Sequence, residues 1–290
     1  ELDDMGHLAW VSYGIGFFGF GLMTQSDVLL MNFFKVGRAD IGLYYLATGL
    51  GTAMAFLLAG VAPMALSLFS ETYAKDGIKS LANLYSQIIG FAAYLTIPVY
   101  VFCILNASPL IDFIYGTTFL EGTKALAVYA AFAGIQTALG INFTVSTLYV
   151  IRRRDVAMRS TVESSILNIA LNLSLIPAFG MMGAIMATGF SMVYMILRQL
   201  KAISSEMEIS PIFSIIGQCF LFCLIASVPP LILSGLDKGH LMINLPVYLI
   251  TLVVLLIFVK PFSEEQRQFV IYIYPKLDNW SKWFFRTPEN

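Results

Sequence analysis

Between Ser164 and Leu197 this chain carries no Asp, Glu, Lys or Arg, and that run of 34 residues constrains everything built around it. As one helix it would rise more than about 50 Å, against a hydrocarbon core of ~30 Å. It must therefore hold two crossings. Pro177 is expected to stop the first helix, while Gly180 and Gly183 permit the turn and the close helix approach that follows. The predicted element is a membrane hairpin with almost no loop.

Composition extends this reading to the whole chain. Hydrophobic residues make up 58% and charged residues 12%, and mean hydropathy is +0.78; a soluble domain carries ~25% charge. Besides the hairpin, uncharged or nearly uncharged runs cover Leu8 to Phe34, Ile41 to Ser70, Ser80 to Ile111, Ala125 to Ile151, Ile209 to Leu236 and Leu241 to Val259. Each is read as one crossing. The expected fold is all-α, a polytopic bundle of eight membrane helices, since no run alternates with period two as a membrane barrel requires. Pro98 should kink the third span, and Ser108 to Gly116 reads as a short surface segment. Gly14, Gly16 and Gly19 form a G-x-G-x-x-G match without βαβ context, so they read as helix-packing positions.

Eight helices place both ends of this chain on one side, with the connections around Lys75, Arg152 to Arg159 and Arg198 to Lys201. That side holds 13 of the 17 Lys and Arg. The positive-inside rule makes it cytoplasmic, and the plasma membrane is the expected location. Phe262 to Arg286, rich in aromatic and basic residues, reads as an anchor in the headgroup layer. A net charge of -1 argues against a nucleic-acid partner. Cys103, Cys219 and Cys223 lie in uncharged runs and read as small hydrophobes.

Leu175-Ile176-Pro177, Phe179-Gly180, Gly183-Ala184 and Ala187-Thr188 resemble the signature of the polysaccharide and oligosaccharide-lipid flippases, in the superfamily that also holds the MATE multidrug exporters. The resemblance implies fourteen helices, two six-helix lobes around a cavity and two more at the C-terminus. Residues 1–201 would then be the second lobe, 202–260 the two extra helices and 261–290 a cytoplasmic tail. Glu1 is not an initiator Met and no signal-peptide pattern precedes the first span, so the chain is expected to be the C-terminal part of such a protein.

Ionisable and polar groups within the spans are the candidates for chemistry. Asp27 leads, with Thr24 one turn before, Gln25 nearby and Asn32 further out. Its alternative reading is a pair with Lys35 or Arg38, or a buried interhelical bond. Gln136 and Asn142 could bind sugar hydroxyls or an ion. Thr161, Ser165, Asn168 and Asn172 form one helical stripe and Thr137, Gly140, Thr144 and Thr147 another; such stripes join helices, and Asn168 is also a candidate ligand. Glu163 is expected to pair with Arg159 one turn away. Tyr44, Tyr45, Tyr115 and Tyr129 are assigned to an interfacial belt. His7 and His240 fall on opposite sides, so no catalytic or metal constellation assembles, and neither enzyme activity nor a cofactor is expected. The implied activity is movement of a polyprenyl-linked glycan from the inner to the outer leaflet. A cation-coupled MATE-type drug exporter and a non-transporting membrane subunit are the alternatives.

Overall fold

The computed structural model describes residues 25–58, 62–235 and 241–261, with isolated positions 6, 10, 13, 14, 16, 17 and 267. The tail assigned to Phe262 to Arg286, and Thr24 with most of the first span, lie outside the described residues apart from these positions. Among the described residues all regular structure is helical. The chain runs through α1 (Gln25–Phe33), α2 (Arg38–Ala53) with a tightened turn at Met54–Leu58, α3 (Ala62–Leu105) and α4 (Ala107–Tyr115). It continues through α5 (Thr123–Ala138), α6 (Ile141–Val150), α7 (Arg154–Phe179), α8 (Met181–Ser204), α9 (Ser210–Gly235) and α10 (Leu241–Val259). Seven segments among the described residues are long and apolar enough to cross a membrane, and α1 is the described end of the first predicted span. The molecule is a multi-pass membrane protein.

The hairpin is α7 and α8. Its turn is one residue: Gly180, at φ 55 and ψ -131, a conformation open to glycine because it lacks a Cβ. Pro177 does not stop α7, contrary to the expectation from sequence; the helix continues two residues further, to Phe179. Pro177 has no N–H for the Leu173 carbonyl and its ring crowds that carbonyl, yet the helix runs on until Gly180 N–H closes the end on the Ile176 carbonyl at 2.8 Å. Gly183 sets the helix separation. A Cβ there would lie 2.3 Å from the Leu175 carbonyl oxygen, so the two backbones touch where any side chain would part them. Ala184 and Ala187 continue this buried small-residue face.

Other boundaries also move. The break in α3 falls at Gly77 (φ 78, ψ -170), and Pro98 sits in unbroken helix. The fourth span is two helices, because Gly140 adopts a left-handed conformation (φ 84) and starts α6 anew. The segment after the third span is the short helix α4. The second crossing is Arg38–Leu58, whereas Leu66 to Ser70 belong to α3.

From Ala62 to Gly77, α3 is largely exposed; beyond the break it becomes the central column of the bundle. Phe69, Leu81, Tyr85 and Ile89 of α3 meet Phe143 and Leu148 of α6 and Ile196, Leu200 and Ile203 of α8 in one core. A second core joins Met31, Tyr44 and Ala47 to Tyr100, Leu126, Ala130, Ile176 and Ala184. Cys219 and Cys223 pack against Ala93, Tyr94 and Ile97, and Cys219 Sγ donates to the Ala93 carbonyl at 3.5 Å. The outermost helix, α10, is tied inward by Tyr248 Oη donating to the Pro98 carbonyl at 2.9 Å and by Asn244 Nδ2 donating to Asn106 Oδ1 at 3.1 Å.

Candidate functional site

Four helices meet at Asp27, which is fully buried. The i, i+4 spacing of Asn168 and Asn172 puts both on one face of α7, and the single-residue turn at Gly180 folds α8 back so that Thr188 stands beside them. From α2, Tyr44 closes the junction. Tyr44 Oη donates to Asp27 Oδ2 at 2.5 Å, Asn172 Nδ2 donates to Oδ1 at 2.6 Å, and the Thr188 hydroxyl donates to Oδ2. Around this first ring, Asn168 Nδ2 donates to Thr188 Oγ1 at 3.1 Å. Asn168 Oδ1 accepts from Asn172 Nδ2 and from Ser26 Oγ, each at 3.0 Å.

A buried carboxylate must recover the hydration it has lost. Asp27 does so from neutral donors alone: among the described residues it forms no ion pair, and neither Lys35 nor Arg38 pairs with it. Asn172 Oδ1 is buried with no hydrogen-bond partner. The junction therefore combines one buried carboxyl group, met by no cation among the described residues, with a concentration of amide and hydroxyl oxygens, the ligand chemistry of a hard cation. One carboxylate balances one positive charge. Among the described residues no group of three or more His, Cys, Asp and Glu gathers, here or elsewhere.

Of the residues singled out from sequence, Asn168 joins Asp27. Gln25 is exposed, and Asn32 is exposed with its amide turned back to the Val28 carbonyl at 2.9 Å. Gln136 Nε2 reaches the Met192 carbonyl at 3.5 Å, and Asn142, in the first turn of α6, has a buried Nδ2 without a partner. None of these four shares a hydrogen bond with the Asp27 network. Tyr44 and Tyr129 are buried rather than interfacial, while Tyr45 and Tyr115 are exposed. Glu163 pairs across the hairpin with Arg198, at 3.0 and 3.2 Å, and accepts from Tyr194 Oη at 2.8 Å; the expected Arg159 pair does not form. Sequence reasoning missed Ser26 and Tyr44 as partners of the junction. It placed Asn172 in a packing stripe and Thr188 in a motif, although the recurrence of amide and hydroxyl groups on the facing sides of one hairpin was a usable signal.

Comparison with known proteins agrees with this architecture. The family described as "Polysaccharide biosynthesis protein" matches residues 5–124. Two relatives come from Haloferax volcanii. The "Probable low-salt glycan biosynthesis flippase Agl15" is 25% identical over 214 residues, 73% of this chain and 43% of the relative. The "Probable flippase AglR" is 24% identical over 196 residues, 67% of this chain and 41% of the relative. Among solved structures, "Lipid II flippase MurJ, inward closed conformation" shares the fold, with a TM-score of 0.62 and 18% identity over 83% of this chain and 52% of that one. The chain spans less than half the length of these curated relatives. The chain is thus similar to two proteins named as probable flippases and shares the fold of a third.

Proposed function

We propose that this chain forms one lobe, with two further helices, of a flippase that carries a lipid-linked oligosaccharide from the inner to the outer leaflet of the plasma membrane. In this reading residues 1–201 are the lobe, 202–260 the added helices and 261–290 an interfacial tail, with both ends of the chain cytoplasmic. The other lobe, outside this sequence, supplies the facing wall of the cavity and the cations that meet the diphosphate, because the described spans offer no lysine or arginine at mid-depth. The sugar and diphosphate cross through polar space between the lobes while the polyprenyl tail stays in lipid, and rocking of one lobe against the other alternates access.

The observation that carries this reading is the buried junction at Asp27, set in a bundle with the fold of a known flippase. Asp27, with Asn168, Asn172, Thr188 and Tyr44, holds a monovalent coupling cation. Its binding draws the ends of α1, α2, α7 and α8 together, and its release lets them part. Gln136 and Asn142 are the contacts for sugar hydroxyls.

The test is complementation. Cells lacking the gene should accumulate lipid-linked glycan on the inner leaflet, the wild-type gene should restore export, and Asp27→Asn should not, at equal abundance in the membrane. Normal export without the gene would sink the flippase reading. Full export by Asp27→Asn would sink the role of the junction alone.

A further inference from the structure

A second polar site lies at the far end of the same hairpin, on the face where most Lys and Arg gather. The start of α7 and the end of α8 enclose a cavity of about 310 Å³ lined by Arg153, Asp155, Arg159, Arg198, Lys201 and Ser205. Two of its cations are held by carboxylates: Arg153 Nη1 lies 2.6 Å from Glu206 Oε1, and Arg198 is bonded to Glu163. Arg159 and Lys201 form no ion pair among the described residues. Counting Asp155, Glu163 and Glu206 against the four cations still leaves one positive charge. The pocket thus keeps a net positive charge suited to an anion, with Arg159 and Lys201 outside any ion pair among the described residues.

What kind of anion is decided next door. Lys201 also lines a groove of about 570 Å³ whose walls include Leu197, Leu200, Ile209 and Phe213. Leu197 and Phe213 are each 52% exposed, on helices apolar enough to cross the membrane. Glu208 at its rim accepts a hydrogen bond from Ser210, 2.8 Å away. A free phosphate would use the cavity and leave the groove bare; a phospholipid would use both, its phosphate at headgroup depth and a chain along the apolar wall. We propose that the cavity between α7 and α8 binds the phosphate of an anionic phospholipid, with Arg159 and Lys201 as direct contacts and the groove from Leu197 to Phe213 holding an acyl chain. Arg159 precedes Asn168 by nine residues, about 14 Å of helix, so this site is separate from the Asp27 junction and does not depend on the transport reading.

The experiment titrates the purified full chain with labelled phosphatidylglycerol and phosphatidylcholine in mixed micelles. Phosphatidylglycerol should bind more tightly, by about fivefold for each free cation. Arg159→Gln with Lys201→Gln should abolish that preference, and Lys75→Gln, an exposed position elsewhere, should leave it intact. Ser205→Glu places a negative charge at the exposed rim and should cut the preference even if the double variant fails to fold. Equal binding of the two lipids, or a preference unchanged in a folded Ser205→Glu protein, overturns the proposal. So does inorganic phosphate that displaces phosphatidylglycerol completely at the concentration of the lipid itself, which would make the ligand a free anion.

Discussion

Two carboxylates bond to the same hairpin and are treated in opposite ways. Asp27 is buried and met by a phenol, an amide and a hydroxyl, with no cation. Glu163 stands 38% exposed and takes an arginine from across the hairpin, itself 42% exposed. The second is a pair that water and salt can replace at little cost. The first has no substitute: its three donors point at one side chain, an ionisable group buried where an apolar residue would be cheaper. The difference separates a residue that fastens helices from one whose expense points to a ligand.

The largest expected effect comes from Asp27→Ala, which leaves three buried donors without their acceptor at a cost of roughly 1–3 kcal/mol each. Thermal unfolding in detergent should shift markedly downward and export should stop. Asp27→Asn keeps the shape, so abundance should survive while export does not. Gly183→Val comes next. Its side chain meets backbone at Leu175, an overpacking of about 1–3 kcal/mol, and it moves Thr188 away from Asp27 while the flexible pair of Glu163 and Arg198 can follow. Lowered melting with lost export is expected, and Glu163→Gln in that background should add nothing. Thr188→Val removes one donor and should cost about 1 kcal/mol with partial loss of export, which Thr188→Ser should return. Smallest is Glu163→Gln, whose melting and export should match wild type. A dead Glu163→Gln beside an active Asp27→Asn would reverse the comparison.

The crossings were legible because charge and length obey the bilayer directly: a 34-residue run without charge has to turn. Where it turns was less so. Pro177 and Gly180 both signal an end, and only the backbone conformation shows that the glycine acts while the proline rides in the last turn. Tyr44 and Tyr45 are adjacent and chemically identical, yet one is buried on Asp27 and the other exposed, since the helix face that meets α8 is chosen by tertiary packing. Glu163 had a local partner in Arg159 and found a distant one in Arg198, because the hairpin brings α8 within bonding reach. Asp27 could be recognised alone and the polar faces of the hairpin as a pair, but not that they meet each other and Tyr44, since Thr188 and Tyr44 lie 161 and 17 residues from Asp27.

The one-residue turn at Gly180 also bears on how the protein is made. When α7 leaves the ribosome, Ser164 and Asn168 enter lipid with a partner of each still unsynthesised. Ser164 awaits the Ser191 carbonyl and Asn168 awaits Thr188, both supplied by the helix that follows without a loop. The insertion machinery must therefore release the two helices as a single hairpin, and a pause or a tag placed at Gly180 would strand the first of them half-inserted.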